Sequence, residues 1–299
     1  IKMEKTVFLF TGQGSQEFGM GKELIKNSSN VRNLYEEASS LLHLDIEAIS
    51  FGESIGLLSQ TKYAQVAIAV YEYALYSDFI QNHNLPTFLA GHSLGELVAL
   101  AASGAINFSD LVLISYERGK AMQQVADSTP SGMVAAIGTP DDLVKLSENY
   151  SNIYVANYNS NNQVVFSGTE GELEKFENDI ERSGGIAIKL KVSGGFHSPL
   201  MRSAAEQYKT VIDSFSFDIP YIPVYSNVTG ALYPNNVNCL RDLMVKQITN
   251  PVEWVEIVNS FISNNVKEII EFGPKKTLLN FVPDSKEYTK KFIGAEGNN

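Results

Sequence analysis

The chain has 299 residues, with 23 Lys plus Arg against 34 Asp plus Glu and a formal charge of −11. Its 44% apolar and 19% charged residues exclude a disordered chain, and the acidic balance excludes a general binder of nucleic acid or anionic membrane. The single cysteine, Cys239, excludes an intrachain disulfide framework and a multi-cysteine zinc site. It is expected as a buried free thiol, and the expected setting is a reducing cytoplasm. No run reaches the ~18 apolar residues of a membrane span, and Ile1-Lys2-Met3 lacks the apolar core of a secretion signal.

In chain order, Lys5–Thr11 reads as a buried strand feeding the tight loop Gly12-Gln13-Gly14. Tyr63–Ile80 has helical period. Thr87–Ala90 is a second strand, followed at once by Gly91-His92-Ser93-Leu94-Gly95 and an Ala/Leu-rich helix over Glu96–Ser103. Ser109 is the expected N-cap of a helix over Asp110–Ala126. From Gly132 to Val192 the order is βαββαβ: strands at Gly132–Gly138, Ile153–Asn157, Gln163–Ser167 and Ala187–Val192, helices at Pro140–Tyr150 and Glu170–Ser183. That is the pattern of a ferredoxin-like module, here inserted into a parallel-sheet α/β domain. The α/β character then returns, with helices near Pro199–Phe215 and Pro251–Ser263 and strands at Pro223–Ser226 and Glu268–Phe272. From about Pro283 the chain is polar and expected to be loosely held.

The sharpest chemical signal is the G-x-S-x-G at Gly91–Gly95, between a strand and a helix. A serine on so tight a turn is exposed for attack, and the helix start beneath it offers free N–H groups to an oxyanion. The alternative is a structural turn with a silent serine. Ser93 as nucleophile needs a base. Of the four histidines, His43 and His83 lie in polar stretches and His92 is turned away by the elbow, which leaves His197, in the loop after Gly194-Gly195-Phe196. A solvated loop histidine is the plain alternative, and no acid is identifiable to orient it; a carbonyl can take that place. The Gly12–Gln16 loop either offers a second oxyanion N–H or is a simple turn; it fails as a nucleotide loop because Glu17 stands where the third glycine belongs. Arg118 falls on the apolar stripe of its helix with Leu111, Ile114, Met122 and Val125. It therefore needs an anion: an internal acid, escape by snorkelling, or a substrate carboxylate held in a bidentate clamp.

Taken together, Thr11–Gln16 with Gly19-Met20-Gly21, Gly91–Glu96, Arg118-Gly119-Lys120, Gly195–Ser198 and Asn250-Pro251-Val252-Glu253-Trp254 resemble the malonyl-CoA:acyl-carrier-protein acyltransferases of fatty-acid and polyketide synthesis, in order and spacing from about residue 5 to residue 280. The resemblance implies an α/β-hydrolase-like large subdomain, 1–128 with 196–299, and a ferredoxin-like small one, 129–195. It implies Ser93 as acylated nucleophile, His197 as base, the amides of Gln13 and Leu94 as oxyanion hole, Gln247 orienting His197 through its carbonyl, and Arg118 on the malonyl carboxylate. Phe196 matches the malonyl-selecting form of its motif. The implied partners are a CoA thioester and an acyl carrier protein or polyketide synthase carrier domain, with no metal and no further cofactor. Carriers are usually acidic, so docking needs local positive charge; Lys189, Lys191 and Arg202 flank the His197 loop and are the candidates, against the plain reading of scattered solubilising charges.

Three departures stand out. Thr11 replaces a proline usual in the fatty-acid enzymes and resembles the polyketide form. Gly194-Gly195 replaces a stiffer pair, which implies a mobile loop. Asn159–Gln163 lacks a usual proline. The length resembles a free-standing enzyme acting in trans on a polyketide synthase. The rivals are an acyl hydrolase on the same fold, a patatin-type hydrolase, disfavoured because the chain contains no Asp-Gly, and a non-catalytic carrier-docking protein, disfavoured by having both Ser93 and His197.

Overall fold

The computed structural model describes residues 3–52 and 56–294. Strand β1 (Thr6–Phe10) is followed by helices α1 (Lys22–Asn27), α2 (Ser29–Leu42), α3 (Ile46–Phe51) and α4 (Thr61–Phe79). Strand β2 (Phe88–Gly91) leads into α5 (Gly95–Ala102) and α6 (Phe108–Ser128). Strand β3 (Ser131–Ile137), α7 (Pro140–Ser147), β4 (Ile153–Ser160), β5 (Gln163–Thr169), α8 (Glu170–Arg182) and β6 (Ile186–Lys189) form the inserted module. The chain ends through α9 (Arg202–Asp213), α10 (Val237–Lys246), α11 (Trp254–Ser263), β7 (Glu268–Gly273) and β8 (Thr289–Gly294).

The large sheet runs β2-β1-β7-β8, all parallel. β1 is apolar on both faces because helices cover both. Phe8 and Phe10 join the layer built around α4, α5 and α6, while Val7 and Leu9 pack with Trp254, Ile257 and Phe261 of α11. α4 is buried almost all round, which explains its alanines: small side chains let it lie close against α6 and the sheet. The small sheet runs β4-β5-β3-β6, antiparallel throughout, the ferredoxin-like order. Alternation along β3 divides its work. Val134 and Ala136 pack on Leu173, Phe176 and Ile180 of α8, whereas Met133 and Ala135 face the large subdomain.

Several local expectations are corrected. The N-cap of α6 is Asn107, whose side chain accepts the Asp110 N–H; Ser109 instead donates to Glu37. Pro223–Ser226 makes only isolated bridges, Val224 extending the parallel sheet beside Leu89. α11 begins at Trp254 rather than Pro251, because Val252 bridges to Asn157, its N–H donating to Ala156 O and its carbonyl accepting from Tyr158 N, which keeps that stretch extended. The chain from Pro283 to Gly294 is held: β8 pairs with β7 over its whole length, and Tyr288 is buried; the rest of that stretch lies outside the described residues. Cys239 is exposed on the first turn of α10, since that helix turns Leu240 and Met244 inward. No helix among the described residues is long and apolar enough to cross a membrane.

Candidate active site

Parallel strands deliver their loops to a common edge. Phe10 pairs with Gly91, so the loop after β1 lies against the turn after β2. The contact is so close that a Cβ on Gly12 would lie 2.7 Å from the His92 carbonyl oxygen. The turn itself requires its glycines: a Cβ on Gly91 would fall 1.9 Å from the Gly95 backbone, and one on Gly95 2.2 Å from Phe10 O. Ser93, between them, has φ 57°, a left-handed conformation that a side chain seldom adopts and that marks stored strain at a site.

Ser93 Oγ lies 2.7 Å from His197 Nε2, and His197 Nδ1 lies 2.8 Å from the backbone oxygen of Gln247. A carbonyl only accepts, so Nδ1 carries the ring proton and Nε2 is free to take the hydroxyl proton. That carbonyl is available because Gln247 caps the C-terminus of α10, where helix carbonyls lack intrahelical donors and carry partial negative charge. Burial, with the nearby Arg118 charge adding to it, pushes His197 down to about 3 against the Gln247 bond, so the imidazole is neutral at physiological pH. His197 also has positive φ, 55°. Its loop is not slack, despite two glycines: Gly195 N donates to Ser131 Oγ at 2.9 Å, Ser198 Oγ donates to Gly195 O, and Ser167 Oγ donates to Phe196 O. A Cβ on Gly194 would stand 2.8 Å from Ala126 Cβ, so glycine there serves close packing.

Arg118 is 1% exposed and makes no ion pair among the described residues, the buried Glu96 acting on it only through its field. Its Nη1 donates to Gln65 Oε1 at 2.7 Å and Nη2 to Gln247 Oε1 at 3.0 Å, with Ser93 Oγ 3.4 Å away; Nε has no partner among the described residues. Neutral amides orient the guanidinium without cancelling its charge, which leaves it able to bind an anion beside the serine. Among the described residues the Gln13 and Leu94 amides donate to no protein acceptor. Leu94 precedes α5, whose N-terminal dipole adds to its N–H, and Gln13 lines the cleft.

The cleft measures about 460 Å³. Its floor holds Ser93, His197, Arg118 and Gln65, and its walls are Met122, Met133, Val165, Leu190, Phe196 and Phe281. Lys191 stands at the cleft mouth; Lys189 lies on the exposed edge strand β6, and Arg202 belongs to a separate surface groove beside Lys209. His43 and His83 are exposed, and His92 turns outward from the elbow to Asn159 Oδ1, 2.8 Å away.

Sequence reasoning missed the supporting residues. Asn227 Oδ1 accepts the Ser93 N–H at 2.8 Å and Asn227 Nδ2 donates to Gly91 O at 2.6 Å, bracing the elbow from behind. Glu96 accepts from Asn227 N and from the Tyr233 hydroxyl, and burial pushes it up to about 7. Nothing in Ser226–Gly230 signals this, but Gln65 was findable: a polar residue in an otherwise apolar helix invites the same question as Arg118.

Comparison with known proteins shows the family. Residues 7–291 match the acyl transferase domain family. A malonyl CoA-acyl carrier protein transacylase of Bacillus subtilis is 37% identical over 93% of this chain and 70% of that protein. The crystal structure of the malonyl CoA-acyl carrier protein transacylase from Clostridium perfringens superposes with TM-score 0.92 at 36% identity, over 97% of this chain and 93% of that one. A malonyl-transacylase in complex with its type II polyketide synthase acyl-carrier protein has TM-score 0.90 at 28% identity, over 96% and 94% of the two chains. With its serine on a strained elbow, its neutral imidazole and its amide-held arginine, and matched to these enzymes over nearly all its length, the chain belongs to the acyltransferase family that includes the malonyl CoA-acyl carrier protein transacylases.

Proposed function

We propose that this enzyme moves a malonyl group from CoA, through an ester on Ser93, to the phosphopantetheine thiol of an acyl carrier protein. The observation that carries this reading is the buried Arg118 guanidinium, held by amides alone within 3.4 Å of Ser93 Oγ. A neutral acyl chain would leave that charge unpaired; a carboxylate at the far end of a short diacid pairs it.

In the proposed cycle His197 Nε2 takes the Ser93 proton as Oγ attacks the thioester carbon. The oxyanion accepts the Gln13 and Leu94 N–H groups. Collapse breaks the C–S bond, and the His197 proton passes to the CoA sulfur. The carrier thiol then gives its proton to His197 and attacks the ester. The second collapse breaks C–Oγ, and the proton returns to Ser93. Ser93, His197 and the two thiols account for every proton and bond, so the proposal assigns no metal or cofactor. Phe196 crowds the malonyl α-carbon, and the carrier approaches past Lys191.

The proposed carrier belongs to a polyketide synthase, on the resemblance at Thr11; a fatty-acid carrier is the alternative. An acyl hydrolase is not favoured, since Arg118 has no use with neutral chains. Intact mass spectrometry tests the reading. Malonyl-CoA should leave a stable malonyl adduct on Ser93 that moves to an added carrier, and carriers of the two classes separate the pathways. Loss of the adduct to water with carrier present would overturn the transferase.

A further inference from the structure

Directly behind the Gln13 loop lies a buried acid that the transfer cycle does not use. Glu72, on α4, is fully buried. One of its oxygens, Oε1, accepts both the Thr11 backbone N–H, at 2.9 Å, and the Thr11 hydroxyl. The other, Oε2, has no hydrogen-bond partner among the described residues. Glu271, the acid that faces it, is engaged elsewhere: it accepts the backbone N–H groups of Thr277, Leu278 and Leu279. No cation pairs with Glu72 among the described residues. In an Ala-rich helix an apolar side chain would fill this place without a desolvation cost, so the carboxyl needs a reason.

The loop it holds has little freedom. Thr11 Oγ1 is 3.0 Å from Ser15 Oγ, which donates to Gly12 O at 2.7 Å. Gly12 is pressed against the elbow, and Gly273 closes the other side: a Cβ there would lie 2.6 Å from Thr11 Oγ1 and 3.1 Å from Glu72 Oε1. Gln13, which lines the cleft one residue beyond Gly12, thus takes the position of its N–H from where Thr11 is held. We infer that Glu72 is a positioning residue for acyl transfer: through Thr11, its carboxyl fixes the Gln13 amide where the oxyanion forms. The inference rests on the role proposed above for that amide. Burial pushes the Glu72 carboxyl well above its ordinary range despite the two Thr11 donors. In the neutral form a carbonyl oxygen takes both donors, and a glutamine amide offers the same oxygen.

Single-turnover acylation of the full chain tests this, with malonyl-CoA and with p-nitrophenyl acetate, a neutral ester that does not call on Arg118. Glu72→Leu removes both bonds, Thr11→Val removes the hydroxyl bond alone, and Glu72→Gln keeps both. Loss of an oxyanion donor costs about 10²–10³ in rate, so its displacement should slow the limiting rate about 30-fold in Glu72→Leu and about 5-fold in Thr11→Val. Half-saturating malonyl-CoA should stay within about twofold and Glu72→Gln should recover to within about threefold of the native rate, in the same order with both donors. If Glu72→Leu does not fold, Thr11→Val decides against Thr11→Ser, which keeps the hydroxyl. Native limiting rates in folded Thr11→Val, a Gln variant as slow as the Leu variant, or a change confined to half-saturation would overturn the inference. A native enzyme acylated by the ester but not by malonyl-CoA refutes the malonyl reading while the ester series still decides on Glu72; acylation by neither overturns both.

Discussion

Replacing Arg118 by alanine separates binding of a diacid from general acyl transfer. The guanidinium is 1% exposed, so a carboxylate meets it out of water. Truncating one member of a desolvated charge pair costs about 2–5 kcal/mol. At about 3 kcal/mol, and tenfold for each 1.36 kcal/mol, kcat/KM for Ser93 acylation by malonyl-CoA falls about 10²-fold. Other consequences touch every acyl donor alike. Gln65 Oε1 and Gln247 Oε1 lose their donor, and one of the charges that holds His197 down disappears. The readout is therefore the ratio of kcat/KM for malonyl-CoA to that for acetyl-CoA, measured by quenched acylation and intact mass, in a variant whose melting shows that it is folded. The ratio should fall about 10²-fold. Equal loss with both donors refutes the clamp.

Four further outcomes are expected. With His197 pushed down to about 3, acylation should show no acid limb near pH 6.5, and a limb there refutes the buried neutral imidazole. The unfolded chain binds a proton near pH 6.5 that the folded chain refuses, so this contribution to stability is whole above that pH and drains away as pH falls toward about 3; His197→Gln should flatten the denaturation midpoint between roughly pH 6 and 4. Gly95→Ala forces a Cβ to within 2.2 Å of Phe10 O and should cost about 3 kcal/mol or more, read as a clear fall in Tm; an unchanged Tm contradicts the packing of α5 on β1. Phe196→Ala should raise acceptance of methylmalonyl-CoA relative to malonyl-CoA by about 10-fold, since one methyl group is worth about 1–3 kcal/mol, and an unchanged ratio removes Phe196 from selectivity.

Elements with a strong local period were legible in the sequence. The βαββαβ run stands out because its short apolar strands are separated by helices with narrow apolar stripes, and β1 because a strand covered on both faces is apolar throughout. Arg118 was legible as a charge on an apolar face. What eluded reading depends on long-range pairing. Asn227 meets the elbow across 134 positions, and β8 carries lysines because it lies at a sheet edge, held by backbone pairing with β7, by Phe292 and Ile293 against the core and by Lys290 on the carbonyls of Leu279 and Val282. Cys239 shows the limit of residue type as a guide to burial: its helix simply turns other residues inward.

The partner of the His197 ring is a main-chain oxygen at the end of α10. In a triad with an acid, one codon change deletes the orienting group. Here no codon can, because every residue at position 247 brings the same oxygen. Mutation at that site alters how the arginine is steadied, removes the bonds from Gln247 Nε2 to Ser93 O and Asn227 Oδ1, and leaves the tautomer of His197 intact. Substitution at 247 therefore reaches the arginine and the elbow, and the proton on the imidazole stays where the main chain puts it.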